Sequence, residues 1–338
     1  MSNYVLVTGG AGYIGSHSVL ALMEAGYDPI VLDNFSNSSR ESISGIEKIY
    51  GAGPIVVEGT TSNSSLLKDI FSSYDVNSVL HFSGLKSVEE SMADPLKYYS
   101  ENIGSSLSLL QTMQEANIHT IIFSSSATVY DPESQLPYTE NSPTNPVNPY
   151  GQTKLCIEQI LHGLAISNPK WKVGILRYFN PVGAHPSGHI GEDPKQKPNN
   201  LMPLVMQTAV GRMEKLLIYG DDYDTPDGTC IRDYIHVLDL ARGHLSALAY
   251  LERHQGFHVW NLGTGKGTSV QELIDKAREI TGADIKTEIT FRRLGDSPES
   301  VADPKKAKSE LSWHPEYSIG NMCADHWNWQ RQNPDGYQ

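Results

Sequence analysis

Tyr150 and Lys154 stand one helical turn apart, so any helix that carries them presents a phenol and an ammonium on one face. A cation beside a phenol favours the phenolate and moves tyrosine from its ordinary pKa of about 10 toward use as a base near neutral pH. Ser126, upstream, closes an apolar run and offers a hydroxyl to the same reacting oxygen. A second cluster, Thr8-Gly9-Gly10-Ala11-Gly12-Tyr13-Ile14-Gly15, follows an apolar run and precedes a helical stretch. In that setting a glycine-rich turn admits a pyrophosphate to a helix N-terminus. The next apolar run ends in Asp33, whose carboxylate can accept hydrogen bonds from the adenosine ribose and repel a 2′-phosphate, so NAD is expected rather than NADP. Each residue alone is an ordinary surface or turn residue; together and in this order they point to hydride-transfer chemistry.

Such groups converge only if strand ends are brought together. Short β-branched runs at 4–7, 29–32, 55–57, 78–82 and 120–123 alternate with helical stretches near 15–25, 39–50, 64–73 and 95–116. That rhythm predicts a parallel sheet covered on both faces, a doubly wound Rossmann α/β fold. A helix from Tyr150 to Ala165 and a sixth strand from Lys172 to Arg177 follow. Ser126 then lies at the carboxyl end of the fifth strand, on the side where open parallel sheets bind ligands. Prolines and glycines concentrate from Pro181 to Pro198 and mark a junction. Beyond it, helices near 201–212, 237–252 and 269–281, with strands at His258–Leu262 and Lys286–Phe291, suit a smaller α/β lobe. The expected division is 1–180, an NAD-binding domain with the Ser, Tyr and Lys, and 181–338, mainly a substrate lobe with some segments returning to the first domain.

At 338 residues and 39% hydrophobic composition the chain can bury a substantial core. A net charge of −13 argues against a nucleic-acid partner, and it requires helix N-termini or a few placed arginines to meet any diphosphate ligand. The three cysteines lie far apart and form neither a disulfide framework nor a metal-ligand spacing, which suits a reducing compartment. With no apolar run of membrane-spanning length and no leader-like N-terminus, a cytoplasmic protein without a membrane partner is expected. His185 and His189 lack a third ligand, so no metal is expected. Asp221 to Asp224 reads as a solvated loop, and His326-Trp327-Asn328-Trp329 as a helix with at least one tryptophan partly exposed.

The Gly9-x-x-Gly12-x-x-Gly15 spacing with the later Tyr150-x-x-x-Lys154 resembles the extended short-chain dehydrogenase/reductase family. Gly12 to His17, His81 to Lys86, Ser124 to Tyr130, Arg177 to Ala184 and Arg232 to Val237 are similar, in order along nearly the whole chain, to its UDP-glucose/UDP-galactose 4-epimerase branch. The resemblance implies that Tyr150 takes the C4 hydroxyl proton, Ser126 holds the reacting oxygen and Lys154 reaches the nicotinamide ribose. It implies a cofactor shell of Gly9, Gly12, Tyr13, Ile14, Gly15, Asp33, Asn34, Asn37, Ser38, Thr60, Phe82, Ser83, Gly84, Lys86, Asn102, Ser124 and Phe179, with Tyr150 and Lys154. For the UDP-sugar it implies Lys86, Ser126, Tyr150, Asn180, Asn200, Leu201, Leu217, Ile218, Tyr219, Arg232, Arg293, Asp296 and Ser300. Arg232 and Arg293 are the local cations that the acidic charge calls for. A homodimer through the helices near 95–116 and 150–165 is also implied.

Some positions depart from that pattern. Gly59-Thr60-Thr61 replaces the usual Gly-Asp-Ile or Gly-Asp-Val beside the adenine, and Thr60 cannot accept as a carboxylate does. Asp131-Pro132 follows Tyr130 where a glycine is usual, which shortens the loop before Tyr150. Ser300 stands where some of these enzymes carry a tyrosine, and its small side chain leaves room for a 2-acetamido group, so UDP-N-acetylhexosamines join the expected substrates. A 4,6-dehydratase would need an acid pair where this chain has Ala127-Thr128. A non-catalytic NAD-binding protein would have no use for Ser126, Tyr150 and Lys154 together.

Overall fold

The β-branched runs of the first half do pair as parallel strands. The computed structural model describes residues 3–195, 198, 200–293 and 296–337. Its first six strands are β1 (Tyr4–Thr8), β2 (Asp28–Asp33), β3 (Ile55–Glu58), β4 (Val76–His81), β5 (Thr120–Ser126) and β6 (Lys172–Tyr178). Between them run α1 (Tyr13–Glu24), α2 (Arg40–Tyr50), α3 (Ser64–Ser73), α4 (Val88–Ala93), α5 (Pro95–Tyr98), α6 (Ser105–Glu115) and α7 (Pro149–Ser167). The later part holds β7 (Asn180–Val182), α8 (Leu201–Ala209), β8 (Leu216–Tyr219), β9 (Ile231–His236), α9 (Val237–Arg253), β10 (Gly256–Leu262) and β11 (Gly267–Ser269). It ends with α10 (Val270–Thr281), β12 (Thr287–Thr290), β13 (Glu299–Ser300), α11 (Lys305–Leu311) and α12 (Ile319–Gln332).

Seven strands form the main sheet in the order β10-β6-β5-β4-β1-β2-β3, each pairing parallel. The order reverses between β1 and β4, and at such a switch point the carboxyl ends of the strands leave a crevice for a ligand. One face is covered by α1, α9 and α11, with Leu22, Leu240, Leu248, Trp260 and Trp313 buried together. The other is covered by α3, α6 and α7 through Leu67, Leu109, Leu161 and Trp171. Each such side chain removed from water stabilises the fold by roughly 1.5–3 kcal/mol. A third core joins α8, α10 and α12 to β8 and β9 around Met202, Met206, Leu273 and Met322. There β11-β9-β13, with β7 added on β9, make a small mixed sheet, and β8 pairs β12.

Some expectations are corrected. The strand at His258–Leu262 belongs to the edge of the main sheet, not to the smaller lobe, and the helix before it packs on α1. Both are apolar on the side facing the first domain, a preference that periodicity shows without naming the partner. The stretch 95–116 is not one helix: α5 passes through a π-helical turn at Tyr99–Gly104 into α6. The run at 221–224 is only partly solvated, because Tyr223 is buried with the Arg292 guanidinium 4.1 Å over its ring. At the C-terminus, Trp329 is buried and Trp327 half-buried, as one face of α12 requires. The described cysteines are all free, and among the described residues no helix is long and apolar enough to cross a membrane.

Beneath the crevice, Arg177 on β6 makes a two-pronged contact with Glu158 on α7, Nε to Oε1 at 3.1 Å and Nη2 to Oε2 at 2.6 Å, both side chains almost fully buried. Ser125 on β5 donates to the same carboxylate. Removing one member of such a pair strands the other charge in the interior, so Arg177→Met is expected to lower stability by about 3–5 kcal/mol, read as a denaturant midpoint shift without a change in slope.

Candidate active site

Ser126 ends β5, and a 3-10 turn over Ala127–Val129 follows at once. Its Oγ accepts from the Thr128 backbone N–H at 3.2 Å and from Thr128 Oγ1 at 2.9 Å. With both lone pairs engaged, the Ser126 proton is left to donate outward. The Tyr150 phenol, half-buried at the start of α7, lies close enough to Ser126 for that hydroxyl to favour the phenolate. Two features of α7 bring the pair together. Asn148 caps the helix through the Gly151 N–H at 2.8 Å, with Pro149 in the first turn where its missing N–H costs nothing. Gly151 lies so close to this turn that a Cβ there would meet Thr128 O at 2.7 Å.

Lys154 is buried one turn farther along, its Nζ donating to Ser124 O at 2.7 Å and lying 5.8 Å from the centre of the Tyr150 ring. Burial pushes this amine down to about 8, opposed by the Glu158 carboxylate. The phenol behaves otherwise than the one-turn spacing suggests. Burial raises the Tyr150 pKa above its ordinary value, and the hydrogen bond from Ser126 is what opposes it. Desolvation of the phenolate thus outweighs the help it receives from Ser126.

At the crevice floor, α1 starts at Gly12 with no side chain capping its first turn, unlike α2, α3 and α10, which are capped by Ser39, Asn63 and Ser269. A Cβ on Gly15 would lie 2.2 Å from Gly9 O, and one on Gly9, which has φ +70°, 2.8 Å from Ser83 N. The turn can therefore be built only from glycine, and it leaves the N–H groups of Tyr13 and Ile14 at an open helix end, a fit for the dinucleotide diphosphate. Asp33 is fixed by three donors, Ala11 N–H on Oδ2 and Phe35 N–H and Ser38 Oγ on Oδ1. Oδ2 keeps a lone pair for a ribose hydroxyl. Asn34, exposed, accepts from Ser36 N–H, Asn37 is half-buried beside it, and Thr60 Oγ1 lies 2.6 Å from Ser62 Oγ.

The loop after β4 closes the other side. Phe82 packs 4.8 Å from His244, and Ser83 Oγ donates to Thr8 Oγ1 at 3.1 Å, which also contacts buried His81. Burial holds His81 down at about 3, so it stays neutral. Asn102 spends its amide on the loop, accepting from Leu85 N–H at 2.7 Å and donating to Leu85 O and Thr153 Oγ1, and Gly84 lies against it. Its place is thus to shape the Gly84–Lys86 turn. Lys86 is half-exposed and pairs with Glu192 at 3.2 Å. Phe179 is buried, and its N–H donates to Leu262 O.

Across the sheet Ser126 pairs with Tyr178, two residues before Asn180, and from Asn180 outward a cavity of about 210 Å³ opens. Asn180, Asn200, Leu201, Leu217, Ile218, Tyr219, Arg232, Arg293 and Asp296 line it. Arg232 faces Asp296 at 3.7 Å, and the Arg293 guanidinium stacks 3.8 Å over Tyr219. Ser300 is half-buried on β13 in register with Arg232 but is not among the lining residues. Cys230, Tyr234 and Val270 also line the cavity, and nothing in their types announced it.

Residues 5–263 match the model of the NAD dependent epimerase/dehydratase family. The chain belongs to that family. A UDP-glucose 4-epimerase from Dictyostelium discoideum is 51% identical over 98% of this chain and 97% of its own length, and one from Yersinia enterocolitica is 51% identical over 98% and 99%. The crystal structure of a UDP-glucose 4-epimerase from Bifidobacterium longum, in complex with NAD+ and UDP, superposes with a TM-score of 0.96 at 47% identity, covering 99% of this chain and 100% of that one.

In this epimerase/dehydratase-family site the residue that sequence reasoning missed is Thr128, read only as the absence of an acid pair. Its double hold on Ser126 Oγ leaves that hydroxyl's proton free for a group in the crevice. Among the described residues no group of three or more His, Cys, Asp or Glu could hold a metal, and His185 instead contacts Ser187. Thr128→Val removes one of the two bonds on Ser126 Oγ and releases its proton from Tyr150. We expect kcat to fall about tenfold with the fold intact, and the acid limb of the pH–rate profile to move to higher pH because the phenolate loses its donor.

Proposed function

We propose that this chain interconverts UDP-glucose and UDP-galactose, inverting C4 of the hexose through a transient 4-keto sugar with no net redox change. The observation that carries the reading is one juxtaposition. The Ser126–Tyr150 pair stands at the sheet's crevice, with Lys154 behind it, and β6 leads from Ser126's partner Tyr178 straight into the arginine-lined cavity.

NAD, when bound, supplies the acceptor and donor of the C4 hydride. Tyr150 takes the O4 proton and returns it, Ser126 donates to the same oxygen, and the Lys154 ammonium, the nearest cation, favours the phenolate as it forms. Gly9, Gly12, Tyr13, Ile14 and Gly15 receive the dinucleotide phosphates, and Asp33 the adenosine ribose. Arg232 and Arg293 take the substrate diphosphate, which frees Arg293 from Tyr219 for a base to stack there, and Asp296 the uridine ribose. The remaining residues of the expected shell orient these groups. Residues 1–180 act as the cofactor domain and the later part mainly as the substrate lobe, with α9 and β10 returning to the first. The site of action is the cytoplasm.

Ser300 extends the substrate range to UDP-N-acetylhexosamines, its small side chain standing beside Arg232 without filling the cavity. The test follows the anomeric proton signals of UDP-glucose and of UDP-N-acetylglucosamine by NMR with no added cofactor. Both are expected to reach equilibrium with their C4 epimers. Turnover of UDP-glucose alone would end the claim for Ser300, and no turnover even with NAD added would end the epimerase reading.

The functional unit is a homodimer. Leu96 is 79% exposed, Ile166 is 72% exposed, and Met92, Tyr99 and Leu107 add apolar surface on the neighbouring helices. Such a patch is costly in water and suits a second copy. Light scattering should give twice the chain mass of 37.3 kDa, and Leu96→Glu should shift it toward a single chain.

A further inference from the structure

Glu192, in the loop between β7 and α8, has a side chain only 2% exposed. Its Oε1 accepts from Lys86 Nζ at 3.2 Å and from Asn200 Nδ2 at 2.8 Å. Its Oε2 is buried with no hydrogen-bond partner among the described residues. Its charge is also felt at Tyr13, in the dinucleotide turn. These neighbours come from different parts of the site: the glycine turn, the loop after β4, and the mouth of the substrate cavity.

A buried carboxylate is expensive to keep, the more so with a spare acceptor, so packing is no reason for it to be there. A second anomaly lies at Asn200. It occupies the N-cap of α8, where asparagine ordinarily accepts a bond from the first helical turn, yet it makes no side-chain cap bond. Its amide is turned to Glu192 instead. The helix forgoes a side-chain cap while this contact forms. The exposures are unequal: the Lys86 side chain is half in solvent, whereas Glu192 is enclosed, so Glu192 is the fixed post and the lysine the arm.

We propose that Glu192 is a positioning residue that gathers Lys86 from the cofactor side and Asn200 from the substrate side onto one carboxylate, and so sets the cavity mouth in register with the cofactor crevice. This rests on reading the site as that of a UDP-hexose epimerase. The ion pair also holds the Lys86 ammonium in place, and Oε2 offers an acceptor to a further donor from a bound ligand or an ordered water.

The test compares the full-length protein with Glu192→Gln, Asn200→Ser and the double variant, measuring UDP binding by calorimetry, bound NAD, thermal midpoint, and KM and kcat for UDP-glucose. Glu192→Gln is expected to weaken UDP binding and raise KM about tenfold, with kcat changed less than about threefold. The midpoint and NAD content stay near those of the parent. Asn200→Ser can cap α8 but cannot reach Glu192, and should weaken UDP binding without loss of stability. The double variant should be no weaker than the worse single one, because both act through the single Lys86–Glu192–Asn200 assembly. Unchanged binding and KM in Glu192→Gln, or losses that multiply in the double variant, would overturn the proposal. A Glu192→Gln protein that no longer folds cooperatively would assign a purely structural role and overturn it as well. A parent protein that neither binds UDP nor epimerises would instead overturn the functional reading beneath it.

Discussion

The pairing of Arg177 with Glu158 ties together the three elements on which the chemistry stands. The arginine is on β6, the carboxylate on α7, and Ser125 of β5 donates to Oε1 of the same carboxylate. One residue from Ser125 is Ser126, and one turn from Glu158 is Lys154, so the pair lies directly under the reacting groups. A buried charge pair is not a cheap source of stability, since desolvation consumes most of its attraction. What it supplies is registry: planar guanidinium and carboxylate meet in one geometry, and the ends of two strands and a helix are held to it.

Much of this was legible in the sequence because it depends on local necessity. Only glycine fits where Gly9 and Gly15 touch backbone, and only a carboxylate at Asp33 serves three donors at once. The period of the apolar runs gave the first six strands and their order of use. Less legible were features decided by distant parts of the chain. Nothing in the stretch 237–262 says that it leaves the second lobe and caps the main sheet, because an apolar helix face does not name its partner. Thr128 and Glu192 were hidden for a related reason: each acts through a side chain it holds, at a distance in sequence or at a turn whose geometry sequence does not specify. The Tyr150–Lys154 spacing was read as lowering the phenol pKa, whereas burial holds it up. Spacing places charges but says little about how much water has been excluded around them.

The acidic chain meets an anionic ligand by concentration of its few cations rather than by their number. Arg232 and Arg293 converge on the cavity, Lys86 is paired with Glu192, and the uncapped end of α1 adds N–H groups without any charge at all. Each of these cations has a partner within the chain, Arg232 with Asp296, Arg293 with the Tyr219 ring and Lys86 with Glu192. The net repulsion of the surface acts at long range and is screened by salt, while these contacts act where solvent is scarce.

The uncapped first turn of α1 has a thermodynamic consequence. Helices α2 and α10 close their N-termini with their own side chains, whereas α1 leaves the N–H groups of its first turn uncapped. Since β1 is an interior strand of the main sheet and α1 follows it directly, an anion held at this turn would bind within the fold rather than at its periphery. Occupancy and stability are linked wherever a ligand binds only the folded chain: an anion held at this turn would add to the stability of the fold by mass action, in proportion to how far its concentration exceeds its dissociation constant.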